Sequence, residues 1–368
     1  MNDSDYMKIA LQLAKKGCGY TSPNPMVGAV IVKDGRIIGQ GWHEKYGEAH
    51  AERNALAACT ESPKGATMYV TLEPCCHYGR QPPCVNAIAE AGIERVVIGS
   101  SDPNPLVSGK GIQILRKQGI AVTEHILQED CERLNEVFFH YIQTKRPFVV
   151  MKYAMTMDGK IATNTGVSKW VTGETARRHV GQQRHRYTAI MVGIGTILTD
   201  DPQLTCRIEG GKNPIRIICD TALRIPLNAS VVSTAMKIPT IIATCCQDAE
   251  KCALYEKKGC HILSVGEKDG HVDLEQLMDL LGQKQIDSIL LEGGGTLNWA
   301  ALSSGIVQKV QAYIAPKLFG GQTAKTPVEG EGVCSPTAAF QLKNSRFLPL
   351  SEDFLIESEV EQRVHRNY

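Results

Sequence analysis

Two separated fragments, His50-Ala51-Glu52 and Pro74-Cys75 followed after eight residues by Cys84, constrain this chain more than any other feature. One His and two Cys form an open zinc site, which requires a fold that brings three distant positions to one point. Three protein ligands leave a fourth position for water, and zinc lowers the pKa of that water to about 7. Glu52, two residues after the His, puts a proton carrier beside the metal. Zinc deaminases of nucleobases use this arrangement, with two residues between their Cys where this chain has eight.

Each piece alone has a plainer explanation. A lone His is usually a surface or satisfied core residue, and a lone Cys a small buried hydrophobe. With 13 Cys in the chain, pairs arise by chance. Context favours a catalytic site. His50 opens an apolar-periodic run (Ala55, Leu56, Ala58, Cys59), and Pro83-Cys84 opens another (Val85, Ile88, Ala89) with Pro at a helix start. Ligands at helix N-termini sit where the dipole favours thiolate and bound hydroxide. Mid-helix, His50 and Glu52 would point to opposite sides; in the first turn both reach a metal over the helix end. From periodicity alone, Cys76 or His77 could replace Cys75 as a ligand.

A length of 368 residues predicts two domains, and 43% hydrophobic content is enough for real cores. Net charge is +1 with no long basic run, and aromatics are 6%, which argues against a nucleic-acid-binding face. The polar, acidic N-terminus does not read as a signal peptide. No apolar run approaches the roughly 18 residues of a membrane span. An odd number of scattered Cys reads as reduced and cytoplasmic rather than as a disulfide framework.

The pattern predicts a helix over 7–16 capped by Ser4, strands at 27–32 and 37–39 joined by an Asp34-Gly35 turn, and the helix after His50. A strand at 67–71 runs into the Cys75 loop, and the Cys84 helix follows. A strand at 95–99, a helix at 111–117, a short strand at 120–122 and one long helix over 128–144 complete the first unit. Pro147 stops that helix without a flexible linker, which places the boundary near Arg146, with domains 1–146 and 147–368. The second part alternates again: strands at 148–154, 189–193, 215–219, 240–244, 288–291 and 310–314, helices at 175–186 and 273–281. Alternating strands and helices mean an α/β fold. There are no internal repeats.

Gly193-Ile194-Gly195-Thr196 and Glu292-Gly293-Gly294-Gly295-Thr296 each follow an apolar strand, and the second opens a helix over 297–302. Bare backbone amides at a helix start can cradle a phosphate. Neither run has the G-x-G-x-x-G form, and a tight turn is the plainer explanation of either one. Together they suggest a nucleotide-cofactor cleft. Polar loops around them carry Lys152, Ser168, Trp170, Arg184, Asp200 and Arg207. Two Arg can clamp a phosphate bidentately, although one Arg is usually a solvated charge and a Trp is usually core.

At this point the whole chain, over residues 4–358, resembles the bifunctional riboflavin-biosynthesis family, a diaminohydroxyphosphoribosylaminopyrimidine deaminase fused to a 5-amino-6-(5-phosphoribosylamino)uracil reductase. The deaminase motifs are Asn24-Pro25-Met26-Val27-Gly28, His50-Ala51-Glu52, Thr71-Leu72-Glu73-Pro74-Cys75, His77-Tyr78-Gly79, Pro82-Pro83-Cys84 and Asp102-Pro103-Asn104-Pro105. The reductase motifs are Asp158-Gly159-Lys160-Ile161-Ala162, Ser168-Lys169-Trp170, Val192-Gly193-Ile194-Gly195-Thr196, Asp200-Asp201-Pro202, Leu204-Thr205-Cys206-Arg207, Glu292-Gly293-Gly294 and Ala315-Pro316-Lys317-Leu318.

The resemblance implies a cytidine-deaminase-like α/β/α domain followed by a dihydrofolate-reductase-like α/β domain. It assigns zinc to His50, Cys75 and Cys84, and the proton shuttle to Glu52. Asn24, His43, His77, Arg80, Asp102 and Asn104 fall at pyrimidine-contacting positions; Arg80 stands where many members have Lys, and Cys76 where Ser is common. The family pattern puts NADPH against Ala154, Trp170, Thr196, Asp200, Gly294, Gly295 and Thr296. It puts the phosphoribosyl substrate against Lys152, Ser168, Arg184, Leu204, Arg207 and Glu292. The expected reactions are hydrolytic deamination of the pyrimidine, then reduction of its ribosyl group to ribityl. Expected partners are the small-molecule substrate and further copies of the chain, with neither nucleic acid nor membrane. Two other readings are a nucleic-acid deaminase, which needs a basic, aromatic-lined face, and a structural zinc module, which needs a fourth protein ligand.

Overall fold

The computed structural model describes residues 1–361; residues 362–368 of the expected second domain lie outside the described residues. Contacts divide the chain after Lys145 into two compact units.

The first unit opens with α1 (Asp3–Ala14). Its cap is Asn2, not Ser4: the Asn2 side chain accepts from the Asp5 amide at 3.0 Å, and the Asp5 carboxylate accepts from the Asn2 amide at 3.0 Å. β1 (Gly28–Lys33) and β2 (Arg36–Trp42) form a hairpin. Its two-residue turn has positive φ at Asp34 (48°) and Gly35 (74°), which matches the twist of the strands. Then come α2 (Ala51–Ala57), β3 (Thr67–Leu72), α3 (Cys84–Glu90), β4 (Arg95–Ser100), α4 (Lys110–Lys117), β5 (Ala121–Thr123), α5 (Gln128–Leu134) and α6 (Glu136–Thr144). The sheet order is β2-β1-β3-β4-β5, antiparallel through β3 and parallel beyond it.

Both sheet faces are covered, because alternate residues of each strand are apolar on both sides. Ala29, Ile31, Met68, Val70, Val96 and Ile98 pack against α2, α3 and α4. Val30, Val32, Tyr69 and Val97 pack against α1 and Cys131 of α5. The result is a three-layer α/β/α unit. α2 lies on β2 at backbone distance. A Cβ on Gly41 would fall 2.3 Å from the Ala55 amide nitrogen, and one on Gly39 would fall 2.4 Å from the Ala55 carbonyl oxygen.

The single helix expected over 128–144 is broken at Asn135 (φ −106°, ψ 21°). The buried Asn135 side chain bonds both the amide (2.8 Å) and the carbonyl (2.9 Å) of Met26. That pairing across the fold displaces the residue from helical geometry.

The second unit contains β6 (Phe148–Thr156), α7 (Glu174–Arg186), β7 (Ala189–Gly193), α8 (Ile194–Asp200), β8 (Ile215–Cys219), α9 (Ser230–Ser233), β9 (Thr240–Thr244), α10 (Ala249–Glu256) and β10 (Cys260–Ser264). A small hairpin, β11 (Glu267–Lys268) and β12 (His271–Val272), precedes α11 (Leu274–Gln283), β13 (Ser288–Leu291), α12 (Gly295–Ser303), β14 (Val307–Ala315), β15 (Leu342–Leu350) and β16 (Asp353–Val360). The nine-stranded order is β10-β9-β8-β7-β13-β6-β14-β16-β15, parallel from β10 to β14 and antiparallel at the β16 and β15 edge. Val149, Met191, Ile217 and Ile289 meet α11 and α12 on one face; Ile190, Ile218 and Ile242 meet Ile197, Val232 and Tyr255 on the other. β7 and β13 are neighbours, so the loops after them emerge side by side at the carboxyl end of the sheet, where α/β folds bind ligands.

Candidate functional site

In the first unit, His50 is the N-cap of α2 and Cys84 the first residue of α3, behind Pro83. Their ends meet the loop after β3, which carries Cys75. His50 Nδ1 lies 3.5 Å from Cys75 Sγ and 3.4 Å from Cys84 Sγ. The three ligand atoms lie within 4.8 Å of one another, and no other such metal-competent cluster occurs among the described residues. Cys76 is turned away, its thiol directed at the Leu106 carbonyl at 3.6 Å. The Cys84 amide donates to Cys75 Sγ at 3.3 Å. The Cys75 thiol is driven down to about 4, first by donation from Cys84 and then by His50, which makes it a thiolate. One imidazole and two sulfurs, with no fourth protein ligand among the described residues, are the donor set of an open zinc site.

Glu52 is buried beside this cluster, and burial, with the charge on Cys75, raises its carboxyl above the ordinary range. Four loop segments, before β1 and after β2, β3 and β4, hold the pyrimidine-contacting candidates. His43 Nδ1 lies 3.0 Å from the Ala49 carbonyl, which can only accept, so that nitrogen carries the proton and Nε2 accepts. Asn24 Nδ2 then donates to His43 Nε2 at 3.2 Å, which fixes the amide and leaves its oxygen for a ligand. Asp102 is buried, and its carboxyl is pushed up to about 6 by that burial. It accepts from the Asn104 amide at 2.8 Å. His77 Nδ1 is buried with no hydrogen-bond partner among the described residues. The Arg80 guanidinium lies over the Tyr46 ring at 4.6 Å.

Two bracing roles were not legible in the sequence. Glu73 accepts from the amides of Gly109 (3.0 Å) and Ile112 (3.3 Å), bracing the loop that carries Asp102 and Asn104. Arg53 reaches the carbonyls of Pro82 and Pro83 at 3.4 Å each, tying α2 to the turn before Cys84. A carboxylate followed by Pro-Cys gives no local sign of such a bracing role.

In the second unit the two glycine runs are joined. Gly193 N donates to Gly293 O at 3.1 Å, Thr196 Oγ1 donates to Gly293 O at 3.3 Å, and Gly294 N donates to Thr196 Oγ1 at 3.2 Å. They line a cavity of about 370 Å³ that includes Thr196, Asp200, Gly294, Gly295 and Thr296. A Cβ on Gly195 would meet nothing within 4 Å, so bare backbone faces the opening there. A second cavity, about 770 Å³, is lined by Lys152, Ala154, Trp170, Arg184, Leu204, Arg207 and Glu292. Ile161, Ser168, Thr196, Asp200 and Gly294 line both. Ala154 and Trp170, expected on the cofactor, thus border the larger space, and Ser168, expected on the substrate, borders both.

Glu292 is the hub of the larger cavity. Arg184 grips it bidentately, Nε to Oε1 at 2.7 Å and Nη2 to Oε2 at 2.8 Å, and spends its third nitrogen on the Thr205 carbonyl at 2.9 Å. Lys152 Nζ lies 3.6 Å from Glu292 Oε2. Burial would raise the Glu292 carboxyl, but Arg184 and Lys152 outweigh it and hold it at about 2. Burial pushes the Lys152 ammonium down. Arg207, at φ 61°, faces the same space, and no hydrogen bond to its guanidinium occurs among the described residues. Trp170 is 56% exposed rather than core, with Arg177 stacked 4.8 Å from its ring. Thr221, Arg224 and Arg177 are further polar residues of the two cavities that spacing did not reveal.

Comparison with known proteins matches residues 1–100 to the cytidine and deoxycytidylate deaminase zinc-binding region and residues 147–356 to the RibD C-terminal domain. The riboflavin biosynthesis protein RibD of Actinobacillus pleuropneumoniae is 54% identical over 97% of this chain and 95% of its own; that of Aquifex aeolicus is 42% identical over 96% and 97%. The crystal structure of a diaminohydroxyphosphoribosylaminopyrimidine deaminase/5-amino-6-(5-phosphoribosylamino)uracil reductase from Thermotoga maritima superposes with a TM-score of 0.86 at 38% identity, covering 98% of this chain and 99% of that one. Acinetobacter baumannii RibD gives 0.86 at 37%, with the same coverage.

Proposed function

The chain belongs to the RibD family of bifunctional riboflavin-biosynthesis deaminase/reductases, and from that premise we propose a division of labour in which residues 1–146 deaminate and residues 147–368 reduce. The substrate of the first step in this reading is 2,5-diamino-6-(5-phosphoribosylamino)pyrimidin-4-one, and the final product is 5-amino-6-(5-phosphoribitylamino)uracil. The observation that carries it is the convergence of His50, Cys75 and Cys84 at two helix starts with Glu52 buried beside them.

Zinc on those three ligands supplies an acidified water for attack at the amino-bearing carbon. Glu52 would carry one proton of that water to the ring nitrogen and then the proton of the added hydroxyl to the amino group, which leaves as ammonia, a role that suits a carboxyl raised by burial. Asn24, oriented by His43, presents an acceptor to the pyrimidine. Asp102 and Asn104, on the loop braced by Glu73, contact the same ring, with His77 and Arg80 on the outer side.

NADPH in the glycine-lined cleft supplies hydride. The fit rests on open backbone at Gly195 and on the paired loops at Gly293 and Thr196. The reacting ends meet where the two cavities share Ser168, Thr196, Asp200 and Gly294. Ala154 and Trp170 border that meeting point from the larger side. Arg207 takes the substrate phosphate, because its guanidinium is uncommitted where that of Arg184 is spent on Glu292. Arg184 therefore acts by holding Glu292, which with Lys152 faces the sugar; buried Lys152 is the group suited to give up a proton there.

Exposed Phe347, Leu348 and Phe354 on β15 and β16 support a homo-oligomer, and thiolate zinc ligands suit a reducing, cytoplasmic compartment. Incubating the purified protein with the diaminopyrimidine substrate, with and without NADPH, tests the whole reading. The deaminated ribosyl compound should accumulate without NADPH and the ribityl compound should form with it. No ammonia release in either reaction would refute it.

A further inference from the structure

Ile161, Ser168, Thr196, Asp200 and Gly294 of the cofactor cleft also line the larger cavity, while Thr221, Arg224, His271 and Val272 line the cleft only. Hydride must pass to the substrate, so the nicotinamide belongs at the shared end, by Ser168 and Asp200. The adenosine half then extends to the far end, which is lined by Thr221, Arg224, His271 and Val272. Thr221 and Arg224 follow β8 at the carboxyl edge of the sheet, one strand beyond the glycine loops.

Arg224 is the sole arginine lining this cavity among the described residues. Its side chain is 59% exposed, and its one ion pair is a loose 3.7 Å contact from Nε to Asp220 Oδ1. Asp220 is itself buried, and its other oxygen accepts from the Ile225 amide at 2.7 Å. No hydrogen bond holds the guanidinium to Asp220, and its two terminal nitrogens have no hydrogen-bond partner among the described residues. The lining carboxylates lie elsewhere: Asp200 at the shared end, and Glu329 against Gly295 at the start of α12. A site that reads the ribose hydroxyl of NADH places a carboxylate at this end, whereas one that accepts the 2′-phosphate places an Arg.

We propose that Arg224 is the residue that selects NADPH over NADH, by a two-pronged contact from its terminal nitrogens to the 2′-phosphate of the adenosine ribose. The inference rests on the cofactor placement proposed above. The exposed guanidinium is open to an entering dinucleotide, and its planar fork matches the phosphate oxygens.

Binding to the full-length, zinc-loaded protein tests it without turnover, with NADPH, NADH, adenosine 2′,5′-bisphosphate and 5′-AMP titrated by calorimetry. Arg224→Ala should weaken NADPH and the bisphosphate about 10- to 150-fold, the equivalent of the 1.5–3 kcal/mol usual for a hydrogen bond to a charged group. NADH and 5′-AMP should stay within about threefold, and Arg224→Lys should recover part of the loss. Deaminase activity and zinc content serve as controls for folding. Equal weakening of phosphorylated and unphosphorylated ligands, or no weakening, overturns the role of Arg224 and leaves the cleft assignment standing. Failure of the unmutated protein to bind any of the four overturns the cleft assignment, and the inference with it.

Discussion

Replacing Arg184 with Met should destabilise the second unit rather than merely weaken substrate binding. Arg184 and Glu292 have side chains only 12% and 10% exposed, joined by two hydrogen bonds. Removing one partner strands a buried carboxylate whose remaining neighbour is Lys152 at 3.6 Å. Such losses run at about 3–5 kcal/mol. A second route gives a similar size. Between the ordinary carboxyl value of 4.5 and about 2, at about 1.36 kcal/mol per pH unit, the ion pairs net of the burial that opposes them contribute roughly 3 kcal/mol. The folded value is depressed, so this stability is present above the unfolded pKa, near 4.5, and is lost as pH falls toward 2. Urea unfolding of the full chain, followed by tryptophan emission, reports on this unit because Trp170 and Trp299 lie in it and only Trp42 lies outside. Arg184→Met should lower the midpoint and flatten the loss of stability between pH 4.5 and 2, and adding Glu292→Gln should restore at least half of it. A loss under about 1 kcal/mol, with an unchanged pH profile and a KM raised only for phosphorylated substrate, would show that Arg184 is a phosphate ligand and that its grip on Glu292 is incidental.

Three further outcomes are expected. Cys84→Ser should lose zinc by elemental analysis and abolish deamination, since a hydroxyl is a far poorer zinc ligand than a thiolate; full activity in a zinc-free sample would end the metal assignment. Glu52→Gln should keep zinc yet lose about 10²–10⁴-fold in deamination rate, with reduction of the already deaminated compound intact; unchanged deamination would mean that Glu52 is not the shuttle. Arg207→Ala should raise the reductase KM for phosphorylated substrate by the equivalent of about 1.5–3 kcal/mol while sparing a dephosphorylated analogue and NADPH affinity; equal loss on both substrates would make Arg207 structural.

The zinc cluster was legible because its grammar is local. His50 and Cys84 at helix starts are marked by the residues around them, whereas the choice of Cys75 over Cys76 and His77 came only from the family resemblance. The α/β alternation was legible because it too is local. The break at Asn135 was not, because its cause is Met26, at the far end of the unit in sequence. Nor was the commitment of Arg184, since Glu292 lies 108 residues away and nothing in either segment announces the pair. The strands Cys260–Ser264, Leu342–Leu350 and Asp353–Val360 went unpredicted. Cys260–Ser264 and Leu342–Leu350 are the two edge strands, where one flank is open and the apolar alternation that marks a strand weakens, and Asp353–Val360 pairs between β14 and the Leu342–Leu350 edge.

The glycines at 39 and 41 let α2 rest directly on the backbone of β2. The helix bearing His50 and Glu52 is therefore gauged against main chain, whose dimensions do not change with sequence. Helices seated on side chains shift as core residues are exchanged for larger or smaller ones over many generations. This one has no such cushion on that contact, so the core beneath the rest of the sheet can drift in composition while the metal ligand and its acid keep their distance from the strand.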